Sequence, residues 1–159
     1  MKLIQHDYLD DPWGMMVACT LLNRTRGVTV RPVLSEIMDT WPTPQDVIEI
    51  NGDDRQKDAL VEILTPLGFY NRRASTLLRM AQDAADGKVV GNWFGIGQYA
   101  MDSWMIFVIG QVVDAEDKEL KRYLEWCRDN NATPPAYTVD DYLYTPKPLR
   151  IMRLKDKTQ

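Results

Sequence analysis

A short segment around residues 92–99 has the composition of an anion-binding turn. Gly95 and Gly97 stand on either side of one aliphatic residue, Ile96. Glycines at this spacing allow a tight turn whose backbone can approach a phosphate closely. Helical patterns precede and follow the turn, so the free amides and positive dipole end of the second helix would face the same anion. An ordinary interhelical turn, with Ile96 anchored in the core, fits the triplet equally well.

Three aspartates lie in or after this unit and could supply a reactive carboxylate: Asp102, Asp114 and Asp117. An ionised carboxylate can stabilise a developing positive charge and can orient or deprotonate water. Asp117 opens an amphipathic stretch that contains Leu120 and Tyr123, so it is equally suited to cap a helix. Asp114 falls in a loop, and Asp102 falls inside the second helix of the hairpin, where it would make a local hydrogen bond.

The elements that position these groups are predicted to be helices. Apolar residues recur at helical spacing in residues 13–22, 33–38, 60–64 and 74–85, and no segment alternates as a strand would. Asp11 before Pro12 and Thr43 before Pro44 are typical helix starts. Residues 46–58 are acidic and predict an exposed helix end and connection. The expected fold is all-α, a stack of short helices.

The length and the 45% apolar content suit one compact domain, which we assign to residues 1–130. Residues 131–159 form a tail that contains prolines, tyrosines and five basic residues and cannot make a long helix. We expect this tail to pack on or beside the domain. It could staple the domain or add cationic contacts.

Composition excludes several classes of protein. Cys19, Cys127 and His6 are too few to build a four-ligand zinc site or a cysteine-bound iron-sulfur cluster, so no metal is expected and both thiols are predicted to be buried. The most hydrophobic segment, residues 104–113, is too short to cross a bilayer. No signal-peptide pattern opens the chain. We therefore expect an intracellular protein, in the cytoplasm or on the nucleoid, with no membrane partner.

The net charge of −4 conceals an uneven distribution. Residues 20–35 and 66–82 contain arginines and no acid, and residues 146–157 are strongly basic. Binding to nucleic acid depends on where cations meet phosphates rather than on the total charge. The three stretches indicate a cationic face, although ordinary solvated surfaces would have the same composition.

Several short motifs together resemble the helix-hairpin-helix (HhH-GPD) DNA glycosylase superfamily. The resemblance is closest to the glycosylase domain of the methyl-CpG-binding thymine glycosylases, and more distant to endonuclease III and the adenine glycosylases. The matching motifs occur in the family's order from residue 3 to about residue 128. They are Leu3-Ile4-Gln5, Asp11-Pro12-Trp13, Leu22-Asn23-Arg24-Thr25, Pro66-Leu67-Gly68-Phe69-Tyr70, Gly95-Ile96-Gly97-Gln98-Tyr99, Asp102-Ser103, Ile106-Phe107 and Glu116-Asp117-Lys118.

The resemblance implies a compact helical fold with a DNA-binding cleft between helical subdomains, and it implies Asp117 as the catalytic carboxylate. Asp102 is the alternative if the alignment slips. Bifunctional relatives have a lysine where this chain has Tyr99, so the resemblance implies hydrolysis without strand cleavage. The four-cysteine iron-sulfur loop of endonuclease III has no counterpart here, so no cofactor is expected. Lys118 would contact a phosphate or pair with Asp117.

By the same resemblance, Gln5 and Tyr99 would form the base pocket, and Arg24 would enter the space that a flipped base vacates. Leu67, Gly68 and Phe69 would wedge against the orphan base, while the hairpin from Gly95 through Gln98 would hold a phosphate. The implied substrate is thymine or uracil opposite guanine in double-stranded DNA, with 5-hydroxymethyluracil also open, and the protein would act as a monomer. Two alternatives are a non-catalytic module that binds duplex DNA or a modified base, and an enzyme that modifies a flipped base without cleaving it.

Overall fold

The computed structural model describes residues 1–134; the tail from residue 135 onward, including its basic stretch, lies outside the described residues. This part of the chain is all-α, as the sequence predicts, with seven α-helices and no strand. The helices are α1 (Pro12–Leu21), α2 (Gly27–Thr40), α3 (Pro44–Glu49), α4 (Asp54–Leu64), α5 (Tyr70–Ala85), α6 (Gln98–Ser103) and α7 (Lys118–Asp129). Short 3₁₀ turns span Ile4–Tyr8, Ile50–Gly52, Thr65–Leu67 and Val90–Asn92, and a π-helical segment spans Trp104–Ile109.

Side-chain caps determine where several helices begin. Asp11 accepts a hydrogen bond from the Gly14 amide at the start of α1, and Thr43 caps α3 in front of a proline. Both caps confirm the prediction. Residues 46–58 were expected to be an exposed connection, but α4 already begins at Asp54, because Asp53 accepts hydrogen bonds from the first amides of that helix.

The core surrounds α1, in which nine of ten residues are buried. A helix that is apolar on all sides must be enclosed by other elements. Helices α2 and α6, the π-helical segment and the first 3₁₀ turn all contact it. Indole rings fill the centre: Trp93 lies 6.1 Å from Trp13 and 6.4 Å from Trp104, centroid to centroid. The hairpin and α1 are therefore held in one rigid unit.

Helix α6 runs directly into the π-helical segment, which ends at Gly110 with a left-handed φ of 75°. The chain then crosses without regular structure to α7, which buries Leu120, Tyr123 and Cys127 against the core. Both cysteines are free and buried, as expected. None of the helices formed by residues 1–134 is long and apolar enough to cross a membrane.

Candidate active site

A cleft of about 980 Å³ opens between the loop after α1, the start of α5, the glycine hairpin and the first turn of α7. Elements far apart in the sequence thus meet around one space. Seven of the residues predicted from the sequence line this cleft: Arg24, Phe69, Gly95, Gly97, Gln98, Tyr99 and Asp117.

Asp117 is the aspartate that reaches this cleft. Its Oδ1 accepts hydrogen bonds from the backbone amides of Glu119 (2.9 Å) and Leu120 (3.0 Å), so the residue is the N-cap of α7. Among residues 1–134, no donor bonds to Oδ2, so the second oxygen is left for a ligand. Asp117 can therefore cap α7 with Oδ1 and still contact a ligand with Oδ2, because the two roles use different oxygens.

The other two aspartates are placed differently. Asp102 is 6% exposed and accepts a hydrogen bond of 2.8 Å from Gln98 Nε2, one helical turn earlier. Asp114 is exposed in the segment before α7, and neither residue lines the cleft. The carboxylate of Asp102 thus has a local role, as the sequence suggested.

Gln5 lies directly behind Tyr99. It is 1% exposed, and its Nε2 donates to the phenolic oxygen of Tyr99 at 2.8 Å and to Ser103 Oγ at 3.0 Å. Both amide hydrogens are consumed by these two bonds. The Oε1 of Gln5 has no donor among residues 1–134, and Gln5 itself is not among the residues that line the cleft but lies behind Tyr99, which does line it.

Burial dominates the electrostatics at the base of the cleft. It raises the pKa of the Cys19 thiol to about 12, and it also raises the pKa of the Tyr99 hydroxyl. The nearby negative charge of Asp117 also raises both pKa values, to a smaller degree. Tyr99 therefore keeps its proton at neutral pH and remains a hydrogen-bond donor.

Ser103 and Cys19 lie at the base of this site, although no functional role was predicted for either residue from the sequence. Ser103 is fully buried, and Cys19 lines the cleft next to Tyr99. One signal was present: Ser103 follows Tyr99 by four residues, which puts both hydroxyls on the same face of α6. Cys19 had no such signal, since a cysteine inside an apolar helix is ordinarily a packing residue.

The two glycines of the hairpin have different constraints. Gly95 has a left-handed φ of 85°, and a Cβ there would stand 2.6 Å from Thr76 Cγ2, so only glycine fits. A Cβ on Gly97 would meet nothing within 4 Å. Ile96 packs against the core from between them, as predicted. The protein itself does not need a glycine at position 97, whereas a ligand that approaches the backbone closely would.

Two further loops present side chains in unusual backbone conformations. Arg24, with a φ of 59°, is exposed in the loop after α1, and Phe69, with a φ of 46°, is 63% exposed in front of α5. Left-handed conformations at residues other than glycine persist only where surrounding structure imposes them, and they are concentrated at functional sites. Leu67 and Phe69 of the predicted wedge differ in exposure: Leu67 is buried at 8%, whereas Phe69 is exposed. Gly68, between them, has a left-handed φ of 69°.

The cations of the cleft are not neutralised by acids. Four arginines line it, and none forms an ion pair within residues 1–134: Arg24, Arg26, Arg72 and Arg73. Glu119, the second acid of the lining, pairs with Arg122 at 3.2 Å. Lys118 is exposed outside the lining, and no described ion pair joins it to Asp117. The cleft is therefore cationic although the chain as a whole is acidic.

No group of three His, Cys, Asp or Glu side chains converges as a metal site within residues 1–134. The cleft instead combines a polar pocket, a carboxylate oxygen without a partner and a cationic rim.

Known proteins are similar to this chain over most of its length. The family model for the HhH-GPD superfamily of base excision DNA repair proteins matches residues 17–144. A methyl-CpG-binding domain protein 4-like protein of Arabidopsis thaliana is 28% identical over 131 residues, which cover 80% of this chain and 28% of the plant protein.

Two archaeal proteins match a similar part of the chain. A thymine-DNA glycosylase of Aeropyrum pernix is 25% identical over 124 residues, and a thymine/uracil-DNA glycosylase of Pyrobaculum aerophilum is 23% identical over 124 residues. Each match covers 72% of this chain and only about half of the archaeal protein. Because the family model spans most of its length, this chain belongs to the HhH-GPD superfamily of base excision DNA repair proteins.

Proposed function

We propose that this protein is a monofunctional DNA glycosylase that hydrolyses the N-glycosidic bond of a mispaired or modified pyrimidine in duplex DNA and leaves an abasic site. The observation that carries the proposal is that Asp117, whose Oδ2 accepts no hydrogen bond within residues 1–134, lines the same cleft as Tyr99. The names of the two archaeal relatives support this reaction class.

The duplex must first release the target nucleotide from the base stack, which costs a few kcal/mol and least at a mispair. Arg26 and Arg72, which line the cleft and form no ion pair within residues 1–134, would neutralise backbone phosphates, and the open backbone at Gly97 would accept another phosphate. Arg24 and Phe69 are the exposed side chains that would fill the gap and press on the partner base.

The base pocket favours pyrimidines with a donor at N3. Gln5 presents Oε1, an acceptor, because its amide hydrogens are engaged by Tyr99 and Ser103. Thymine, uracil and 5-hydroxymethyluracil have an N3–H that pairs with such an acceptor, whereas cytosine has a lone pair there. Tyr99 would stack on the base or donate its phenolic proton to a carbonyl oxygen.

As the bond between N1 and C1′ breaks, the base departs with the bonding electrons and positive charge develops on the sugar. The ionised Asp117 would stabilise this charge and orient the water that adds to C1′. A lyase step would need an amine within reach of C1′ to form a Schiff base. None of the residues that line the cleft is a lysine, and Tyr99 occupies the position of the lysine in bifunctional relatives.

Labelled duplexes that contain G:T, G:U or G:5-hydroxymethyluracil test the reaction. We expect strand breaks only after alkali, since an abasic site is alkali-labile. Breaks without alkali would exclude the monofunctional mechanism. Intact strands together with tight duplex binding would indicate a non-catalytic DNA-binding module instead.

Asp117→Asn tests the carboxylate itself. Asparagine caps helices about as well as aspartate, so the fold should be retained while the charge is lost. We expect activity to fall by roughly a hundredfold or more with duplex binding retained. The matched control is Asp114→Asn, which removes an exposed aspartate outside the cleft and should leave the rate unchanged. Equal activity of Asp117→Asn and wild type would remove Asp117 from the mechanism.

A further inference from the structure

Arg73, in the first turn of α5, connects the two loops that flank the cleft. Its guanidinium donates to the loop after α1 through two contacts, to Asn23 O at 3.2 Å and to Thr25 Oγ1 at 2.8 Å, and to Leu21 O at the end of α1 at 3.2 Å. It donates towards the turn before α5 through two more, to Gly68 O at 2.9 Å and Leu67 O at 3.5 Å. One planar group thus bonds to both loops at once.

These two loops are the ones that hold Arg24 and Phe69 in left-handed backbone conformations. Among residues 1–134, no other hydrogen bond links residues 21–25 with residues 65–69. The distance between the two exposed side chains therefore depends on Arg73. A guanidinium is suited to this task because its rigid fork fixes several acceptors in one geometry, which an ammonium does not.

The hydrogen bonds of Arg73 also argue against a role in binding phosphate, because they occupy its guanidinium. Its Nε, Nη1 and Nη2 are all engaged by protein oxygens. No carboxylate pairs with it in the described part of the chain, and burial lowers the pKa of its guanidinium. Four of the five acceptors belong to the two segments that border the cleft, and the fifth, Leu21 O, lies at the buried last residue of α1.

We propose that Arg73 is a positioning residue that fixes the separation and backbone conformation of Arg24 and Phe69, so that both can enter a duplex together when a base is extruded. This inference rests on the proposed function. The group acts through the two loops and touches neither the base nor the sugar. A displacement of about 1 Å in such a positioned group can reduce a rate by up to about a hundredfold.

Arg73→Lys tests the inference because it keeps the charge and loses the fork. Extrusion is measured with 2-aminopurine next to the mispair in a G:T duplex, in an Asp117→Asn background so that no base is released. At saturating protein, we expect the fluorescence gain with Arg73→Lys to be about tenfold smaller than the gain with the protein that keeps Arg73. The slope of binding affinity against salt should be unchanged, since the number of cations is unchanged. Arg55→Lys, an exposed arginine on α4 outside the cleft, is the matched control and should behave as wild type.

Hydrogen exchange of the free protein supplies a readout that needs no DNA. In Arg73→Lys, exchange should become faster in residues 22–26 and 66–70 and stay unchanged in α7. Thr25→Val removes one of the Arg73 acceptors, so its effect should be strongly non-additive with Arg73→Lys in a double-mutant cycle. Unchanged exchange in these loops, or wild-type extrusion by Arg73→Lys, would overturn the inference.

The two proposals fail in different experiments. If wild type releases no base from any duplex, the proposed glycosylase activity fails, whereas the exchange and double-mutant results still decide the role of Arg73. If base release occurs and Arg73→Lys matches Arg55→Lys in every readout, only the positioning role fails.

Discussion

The side-chain nitrogen of Gln5 lies 2.8 Å from the phenolic oxygen of Tyr99, although the two residues are 94 positions apart in the chain. This hydrogen bond joins the first 3₁₀ turn to α6 and orients an otherwise rotatable amide. A second bond from the same nitrogen to Ser103 uses the other amide hydrogen and holds the amide between the two hydroxyls. The chemistry that the pocket presents therefore depends on a pair of hydroxyls on α6.

Ser103→Ala is expected to weaken base selection. Without the Ser103 oxygen, one hydrogen of the Gln5 amide keeps only Cys19 Sγ, a weak acceptor at 4.0 Å in a buried site, and the amide is held less firmly. We expect kcat/KM on a G:U duplex to fall by about tenfold and the free energy of unfolding to fall by about 1–3 kcal/mol.

The matched control for this variant is Ser75→Ala, which removes an exposed hydroxyl from α5 outside the cleft. It should leave kcat/KM unchanged. Wild-type kcat/KM in Ser103→Ala would show that Ser103 does not orient the amide.

The two hairpin glycines should respond differently to alanine. Gly95→Ala forces a side chain into a left-handed backbone and against Thr76, so we expect a loss of about 1–3 kcal/mol in the free energy of unfolding. Gly97→Ala meets open space and should unfold like wild type in denaturant titrations.

Duplex affinity distinguishes a structural from a binding role for Gly97. If a phosphate approaches its backbone closely, the added methyl group of Gly97→Ala should weaken binding while stability is unchanged. Wild-type affinity for a short duplex, measured at fixed salt, would argue against a phosphate at this position.

The single histidine of the chain should make stability depend on pH. Burial is the main cause that lowers the pKa of His6 below its ordinary value of 6.5. The charge of Lys2 also lowers this pKa, whereas the charge of Asp7 raises it. Its Nδ1 accepts a hydrogen bond from the Leu3 amide at 2.9 Å, and its ring packs edge-on against Phe107. The Leu3 carbonyl, 3.2 Å from the same nitrogen, favours the protonated ring and raises the pKa, but burial outweighs it.

The sign of the dependence follows from the lowered pKa. As the pH falls, the unfolded chain binds a proton at His6 before the folded protein does. The free energy of unfolding should therefore decrease from about pH 6.5 down to the folded-state pKa and level off below it. His6→Asn keeps an acceptor for Leu3 and does not titrate, so urea titrations from pH 7.5 to pH 5 should lose this component. The same pH dependence in both proteins would contradict the assignment.

Cys19 should be unreactive in the folded protein despite its place at the cleft. With a pKa of about 12, its thiolate is present at roughly one part in ten thousand at pH 8. We expect an alkylating reagent to leave the Cys19 peptide unmodified under native conditions and to modify it fully in guanidinium, as followed by peptide mass spectrometry. Rapid native labelling at Cys19 would mean that the thiol is neither buried nor suppressed.

Local chemistry in the sequence was sufficient to predict the helical class and several helix starts. Asp11, Thr43 and Asp117 each precede a helix and each accept hydrogen bonds from its first amides. Such caps involve residues only two or three positions apart, so composition and spacing reveal them. The start of α4 was missed because its first turn is acidic and polar on all sides, and the capping role of Asp53 is not evident without the helix.

The amino-acid sequence alone was thus sufficient to predict an all-α protein with a glycine hairpin and a capping aspartate, and to indicate its family. Only the tertiary structure decided which polar atoms are used up within the protein and which remain for a ligand. It joins Gln5 to Ser103 across 98 positions and Arg73 to Leu21 across 52. Hydrogen bonds of this kind depend on how distant segments pack, and no local pattern encodes that packing. That Asp117 Oδ2 and Gln5 Oε1 accept no hydrogen bond within residues 1–134 is a property of the folded chain.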